Sequence, residues 1–187
     1  MSMPAPPPVF GVTGWKNSGK TTLTERLIGE LTARGYRVAS LKHAHHTLDI
    51  DTPGTDSFRH RAAGAVETAV VGGARWAIMH ELRGADEPTM EDVIARLSPC
   101  DIVIVEGYKR AGHPKIECRR TEQRKGEPLT FTDANIAAIA SDTGAAAEGT
   151  NPDRLPVFRL DDIAGICDFA IAICSLPRPG GKAKVGT

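Results

Sequence analysis

This sequence has no C-x-x-C pair, no net charge and no long apolar run. Its four cysteines are scattered along the chain at Cys100, Cys118, Cys167 and Cys174. Such spacing predicts buried small apolar groups rather than disulfides or a zinc site. The 23 Lys and Arg residues balance the 23 Asp and Glu residues, which argues against nucleic acid or a membrane as partner. No apolar run approaches the length of a membrane span.

The two ends of the chain also lack features that would place it outside the cell or in several domains. The proline-rich residues 1–8 do not have the layout of a signal peptide, so we expect a cytoplasmic protein with a disordered lead. Residues 176–187 carry almost nothing apolar and predict a disordered tail. The length and the absence of an internal repeat predict a single domain over residues 9–175.

The most informative stretch is Gly-Trp-Lys-Asn-Ser-Gly-Lys-Thr at residues 14–21, which matches the complete P-loop pattern G-x-x-x-x-G-K-[ST]. Residues 9–13 predict a buried strand before it, and the apolar spacing after it predicts a helix. A glycine loop in this context points backbone N–H groups at a phosphate. The residues predicted to hold the phosphates are Gly14, Trp15, Lys16, Asn17, Ser18, Gly19, Lys20, Thr21 and Thr22.

Three residues of this region have predicted chemical roles. Lys20 is expected to reach the β- and γ-phosphates and to neutralise developing charge, and the Thr21 hydroxyl is expected to ligate Mg²⁺. A second carboxylate near the metal is expected at the tip of a neighbouring strand. Residues 102–105 predict a parallel strand buried on both faces, with Asp101 at its start and Glu106 at its tip. We choose Glu106 as the catalytic or metal-supporting residue; the alternative is a carboxylate bonded to local backbone.

The remaining periodicity predicts an α/β fold: a P-loop NTPase-type, mostly parallel sheet flanked by helices. Residues 66–71 and 76–80 are predicted to add a short antiparallel hairpin. Asp56 or Ser57 is predicted to cap a short helix. Thr89 and Asp92 predict a capping box at the start of a helix of about ten residues.

Four of the six histidines fall between residues 42 and 60, together with several aspartates. One interpretation is a switch-like loop over the γ-phosphate, with Asp51 or Asp56 near Mg²⁺. Another is a transition-metal site in which His43 and His45 converge. The third is a solvated, well-capped loop. The sequence alone leaves all three open.

Two further groups of polar residues are candidates for ligand contacts. Asp142 follows a buried strand, where its carboxylate could accept hydrogen bonds from the N1–H and 2-amino groups of guanine; the alternative is a turn or cap residue. The basic residues Lys109, Arg110 and Lys115, with others at 119–125, could bind a phosphorylated ligand or a partner. Such residues more often form a solvated face.

Four blocks of the sequence together resemble the molybdopterin-guanine dinucleotide biosynthesis protein B (MobB) family. They are residues 14–23, 42–46, 51–65 and 105–109, and the resemblance spans about residues 9–175. It implies a GTP-binding protein with weak GTPase activity, Mg²⁺ as cofactor, and a homodimer. It also implies a partner, the transferase that joins GMP to molybdopterin, and leaves open whether molybdopterin itself contacts this chain. The family pattern usually has Lys where this chain has Thr55.

Three other functions remain open from the sequence. The histidines suggest a metal-insertion GTPase for Ni or Zn, and the P-loop is shared with small-molecule kinases. An adapter that binds nucleotide without turning it over is the third. Turnover is expected to be slow in any case, because the sequence offers no assignable arginine finger or water-positioning glutamine.

Overall fold

The computed structural model describes residues 5–44, 50–123, 126–144, 151 and 154–179. The chain divides into two compact units, Met1–His43 with Arg96–Thr187, and Ala44–Ala95. Residues 1–4 and 180–187 of the predicted lead and tail lie outside the described residues. Pro8 accepts a hydrogen bond from Val103 N–H at 2.9 Å and Leu176 is buried. The packed region therefore reaches slightly beyond residues 9–175.

The secondary structure follows the chain as alternating strands and helices. The strands are β1 (Val9–Gly14), β2 (Val38–Lys42), β3 (Glu67–Val71), β4 (Trp76–His80), β5 (Ile102–Glu106), β6 (Lys115–Arg119), β7 (Ile136–Ser141) and β8 (Val157–Arg159). The helices are α1 (Lys20–Ala33), α2 (Asp56–Ala62), α3 (Met90–Ile94) and α4 (Ile163–Ile173).

The first unit contains a six-stranded sheet in the order β2-β5-β1-β6-β7-β8. Every neighbouring pair is parallel, so the carboxyl ends of all six strands lie at one edge. The glycine loop follows β1 at this edge, between the ends of β5 and β6. The predicted fold class is confirmed, and β6, which has only a weak strand signal in the sequence, lies beside β1 near the centre of the sheet.

The core of the first unit is built from the strands and from one face each of α1 and α4. Phe10, Leu27, Ile104 and Ile166 have no exposed surface. All four cysteines are free thiols. Cys118 and Cys167 are buried as predicted, whereas Cys100 and Cys174 are only half-buried, so the prediction of burial is wrong for those two. Burial raises the pKa of the Cys118 thiol to about 12, so it packs as a neutral apolar group. None of the described helices has the length and apolarity needed to cross a membrane.

The second unit contains α2, the antiparallel hairpin of β3 and β4, and α3. The hairpin pairs Val71 with Trp76 and Glu67 with His80, as its sequence predicts. The N-cap of α2 is Thr55, whose hydroxyl accepts a hydrogen bond from Phe58 N–H. The prediction of Asp56 or Ser57 as the cap is therefore wrong by one position.

The start of α3 is predicted correctly and its end is not. Thr89 and Asp92 form the capping box, each side chain accepting from the other residue's backbone N–H. The helix then covers only the five residues Met90–Ile94 instead of about ten. Pro99 disfavours a helical conformation at the preceding residue, which limits how far the helix can continue.

Candidate functional site

The loop between β1 and α1 has backbone angles that require glycine at its two fixed positions. The φ angles are +143° at Gly14 and +95° at Gly19, and Asn17 between them is left-handed at +63°. A Cβ on Gly14 would lie 2.6 Å from the carbonyl oxygen of Cys118. That oxygen belongs to the neighbouring strand β6 and cannot move aside, so this turn excludes every side chain.

The loop leaves polar groups without partners at the start of α1. Within the described residues, α1 has no side-chain cap and no acidic residue in its first turn, whereas α2, α3 and α4 are each capped by a side chain. Ser18 is only 3% exposed, and its buried hydroxyl has no hydrogen-bond partner among the residues that the structure describes. Because the first amides of a helix attract anions, these groups form an anion cradle.

The side chain of Lys20 folds back over this cradle. Its ammonium group donates a hydrogen bond to the carbonyl oxygen of Trp15 at 2.6 Å. Desolvation lowers the pKa of Lys20, although the nearby Cys118 and Glu106 act in the opposite direction. A partly desolvated ammonium group is suited to pairing with a phosphate, which would restore its electrostatic stabilisation.

The two residues predicted to support Mg²⁺ are in contact. The Thr21 hydroxyl donates to Glu106 Oε1 at 3.0 Å, and Lys42 Nζ lies 3.6 Å from the same oxygen. Glu106 is at the carboxyl end of β5, level with Val12 of β1. Asp101, at the opposite end of β5, instead pairs with Arg37 at 2.9 Å. The structure thus brings Glu106, and not Asp101, to the glycine loop.

The residues after Glu106 form a strained turn that sequence reasoning missed. Gly107 and Tyr108 are both left-handed, with φ of +99° and +45°. The Tyr108 ring packs on His43, with 4.7 Å between the ring centroids. A bulky residue with positive φ is uncommon, and such strain often accompanies function. The tyrosine itself gives no signal of this in the sequence.

Asp51, the third predicted metal residue, belongs to the second unit. It accepts hydrogen bonds from the Thr55 and Ser57 hydroxyls at 3.0 and 2.9 Å, and Arg61 lies 3.6 Å away. Burial would raise the pKa of Asp51, but the bonds from Ser57 and Thr55 outweigh it and lower the pKa. These contacts organise the start of α2, and the metal role of Asp51 stays a prediction.

The histidine stretch gives no metal site within the described residues. No group of three or more His, Cys, Asp or Glu side chains in the described ranges could hold a metal ion. His45, His46 and Asp49 lie outside those ranges. The interpretations of this stretch as a switch or a metal site therefore stay predictions.

A cavity of about 410 Å³ opens beside the glycine loop in the first unit. It is lined by Gly19, Thr22, Leu23, Arg26, Arg120, Glu122, Asp142, Arg159, Leu160 and Asp161. Asp142 accepts hydrogen bonds from the N–H and hydroxyl of Thr121, both at 3.1 Å. The predicted base-reading carboxylate and the glycine loop thus line one cavity. Arg120, from the predicted basic segment, and Arg26, which the sequence did not single out, are cations of the same cavity.

The basic residues near the loop divide into structural and exposed ones. Lys115 has no exposed surface and pairs with Asp133 at 2.9 Å, while Arg119 pairs with the buried Glu117 at 2.7 Å. A solvated face is therefore the wrong description for these two. Lys109 Nζ lies 4.2 Å from the centre of the Trp15 ring, which is a cation–π contact on the loop itself.

The fold and this site define the class of the protein: it is an α/β protein with a parallel six-stranded sheet and a glycine loop after its first strand, and a second unit contains an antiparallel hairpin. The family model described as "Molybdopterin guanine dinucleotide synthesis protein B" matches residues 9–142, which is more than half of the chain. The chain belongs to the MobB family.

Curated relatives and solved structures agree with this assignment. The "Molybdopterin-guanine dinucleotide biosynthesis adapter protein" of Escherichia coli (strain K12) is 36% identical over 168 residues, covering 88% of this chain and 91% of the relative. The protein of the same name from Haemophilus influenzae is 41% identical over 137 residues, covering 72% and 74%. The crystal structure of Bacillus subtilis MobB has a TM-score of 0.69 at 27% identity, covering 91% of this chain and 98% of that one.

Proposed function

We propose that this chain binds GTP with Mg²⁺ and assists, as an adapter with weak GTPase activity, the transferase that joins GMP to molybdopterin. The relatives' names support the adapter role and the pathway. The observation that supports the nucleotide is the cradle between Gly14 and α1. It holds a helix start without a side-chain cap and a buried Ser18 hydroxyl that is unpaired within the described chain. A phosphate would satisfy both.

The residues around the cradle fit a magnesium nucleotide. The Thr21 hydroxyl and the Glu106 carboxylate are oxygen donors of the kind that Mg²⁺ prefers, and they lie 3.0 Å apart. Bound Mg²⁺ would neutralise charge on the β- and γ-phosphate oxygens. Lys20 would exchange its bond to the Trp15 carbonyl oxygen for one to phosphate. Glu106 holds the Thr21 hydroxyl in place and supports the metal.

Slow hydrolysis follows from what surrounds Glu106. Its Oε1 already accepts from Thr21 and lies near Lys42, so it is poorly placed to activate a water molecule as a base. We propose that occupancy of the site, rather than fast turnover, is what the transferase senses. Measuring phosphate release with and without the transferase tests this, because an adapter with weak activity gives a rate well below that of an ordinary enzyme in both cases.

Guanine is the proposed base because of Asp142. A carboxylate offers about four lone-pair positions, and the Thr121 N–H and hydroxyl occupy only part of them. The remainder could accept from the N1–H and 2-amino groups of guanine, which adenine lacks. The Asp142→Asn variant should therefore lose most of its preference for GTP over ATP.

Calorimetric titration of the full chain with GTP and Mg²⁺ tests the proposal. Loss of a charge-assisted contact costs roughly 1.5–3 kcal/mol, so Lys20→Ala should weaken GTP binding about tenfold or more. Arg178→Ala, which removes an exposed cation outside the site, should bind GTP like wild type. GTP binding by Thr21→Ala should no longer depend on Mg²⁺. Absence of GTP binding by the wild-type protein would end this proposal.

We propose a homodimer formed through the hairpin of the second unit. Val71, Trp76 and Ile78 share one face of the hairpin because they are paired or two residues apart. They are 79%, 64% and 54% exposed. A two-stranded sheet is marginally stable alone, and a second copy of this face would cover it with like apolar groups.

The oligomeric state distinguishes this interface from one with another protein. Size-exclusion chromatography with light scattering should show a wild-type dimer and a Trp76→Glu monomer. Phe131→Glu, which alters an exposed apolar residue of the first unit, should remain a dimer. A monomeric wild type that binds the transferase through Trp76 would assign the face to the transferase instead.

A further inference from the structure

Arg120 lies at the same edge of the sheet as the glycine loop. It directly follows β6, which is parallel to β1 and pairs with it, so both strands end beside the cradle. A Cβ on Gly19 would lie 3.2 Å from Arg120 Nε and 3.3 Å from Nη2. The guanidinium group therefore packs directly against the position where a side chain on Gly19 would begin.

The charges around Arg120 leave it available to a ligand. No hydrogen bond or ion pair connects Arg120 to the rest of the described chain. Arg159 in the same cavity is already paired with Asp161 at 3.0 Å. Glu122 and Asp142 contribute negative charge to the cavity wall, and Arg26 is a second cation there.

The position of Arg120 between the cradle and Asp142 matches one part of a nucleotide. A GTP molecule with its β- and γ-phosphates in the cradle and its base at Asp142 must pass its α-phosphate and ribose along Gly19 and Thr22. The planar guanidinium group pairs with phosphate through two parallel N–H groups. It faces Gly19, the N-cap of α1, whose neighbouring amides attract the same anion.

We propose that Arg120 binds the α-phosphate of the nucleotide, an inference that rests on the proposed function. The contact gives affinity that does not depend on the number of phosphates. It would hold GTP, GDP and GMP alike, whereas Lys20 acts only on the outer phosphates. Arg120 thus retains the guanylate part of the nucleotide whether or not the γ-phosphate is present.

Competition binding against a fluorescent GDP, measured on the full chain, tests whether Arg120 and Lys20 contact different phosphates. Arg120→Ala should weaken the binding of GTP, GDP and GMP by a similar factor of about ten or more. It should leave the affinity for guanosine unchanged. Lys20→Ala should weaken the binding of GTP and GDP but not that of GMP. Arg120→Lys should recover part of the loss, since it keeps the charge without the bidentate geometry.

Arg178→Ala is the control because it removes an exposed cation that does not line the cavity. Its GMP affinity should change by less than about threefold, since an exposed charge away from the ligand contributes little. Arg120 is exposed, so Arg120→Ala should unfold at the wild-type temperature and remain interpretable.

Three results would overturn the inference while leaving the proposed function intact. They are an unchanged GMP affinity in Arg120→Ala, a loss confined to GTP, and an equal loss of guanosine binding, which would mean contact with the base. Failure of wild-type protein to bind any guanine nucleotide would instead remove the proposed function, and this inference with it.

Discussion

The two compact units differ in the chemical groups that they leave accessible: backbone amides in the first and apolar side chains in the second. In the first unit the Val and Ile side chains of β5 are completely buried, while the amides at the start of α1 have no cap within the described residues. In the second unit Thr55 and Thr89 cap the helices, while Trp76 and its apolar neighbours on the hairpin are exposed. One unit therefore has polar groups suited to an anion, and the other has apolar groups suited to a protein surface.

This difference shows how much context outweighs residue type. Val and Ile have the same strand propensity in β5 and in the hairpin, but β5 is paired on both sides, with β2 and β1, whereas β3 and β4 pair only with each other. Likewise Gly19 and Thr55 both begin helices, and only the glycine leaves the amides accessible.

The largest expected effect concerns ion pairs. Lys115 is 0% exposed and has two described acceptors, Asp133 at 2.9 Å and the Ala111 carbonyl oxygen at 2.5 Å. Removing one partner of a buried pair typically costs about 3–5 kcal/mol, so Asp133→Ala should lower the free energy of unfolding by that amount. Glu67→Ala, which removes the exposed contact with His80 on the hairpin, should cost about 1 kcal/mol or less.

The pH dependence of the same pair has a definite sign. Burial would raise the pKa of Asp133, but hydrogen bonds from Lys115 and Asn135 outweigh it and lower the pKa. A lowered pKa contributes stability above the usual carboxyl pKa, and that stability is lost as the pH falls through the folded-state value. The difference between wild type and Asp133→Asn, followed by urea unfolding, should therefore shrink below about pH 4. A constant difference across acidic pH would contradict this.

The second effect concerns isoleucines. Ile104 of β5 is 0% exposed and Ile78 of β4 is 54% exposed. Ile104→Ala should destabilise the protein by roughly 2–5 kcal/mol through lost burial and a cavity. Ile78→Ala should cost about 0.5 kcal/mol or less in the monomer, and more at high protein concentration if the hairpin forms a dimer. A large Ile78 loss independent of concentration would show that this face is covered within one chain.

Sequence reasoning succeeded where the signal is local and failed where it depends on neighbours. The P-loop pattern and the apolar run of β5 each specify their own conformation, and Glu106 follows from strand direction alone. The complete burial of Lys115 could not be predicted, because its partner Asp133 is 18 residues away in sequence. Arg120 was placed only in a diffuse basic segment, since its position against Gly19 depends on β6 pairing with β1.

The third effect concerns glycines with positive φ. Gly14 has φ of +143° and a backbone oxygen 2.6 Å from its missing Cβ, whereas Gly54 has φ of +93° and nothing within 4 Å. Gly54→Ala should cost only the backbone strain, about 1 kcal/mol. Gly14→Ala adds a clash with a strand and should lower the free energy of unfolding by about 2–3 kcal/mol. It should also abolish GTP binding. Equal losses of unfolding free energy would mean that β6 yields to the added methyl group.

The smallest expected effect concerns helix caps and tests whether the uncapped start of α1 is special. Thr89→Ala removes the hydroxyl that accepts from Asp92 N–H and should lower the free energy of unfolding by about 1 kcal/mol. Thr89→Ser keeps a hydroxyl at the cap and should retain most of that stabilisation. The stabilisation by GTP should be the same in both variants, because Thr89 caps α3 and the proposed ligand uses α1. Thermal unfolding with and without GTP measures both quantities. A reduced GTP effect in Thr89→Ala would mean that the second unit takes part in nucleotide binding, and the comparison between an anion-binding unit and a protein-binding unit would then have to be abandoned.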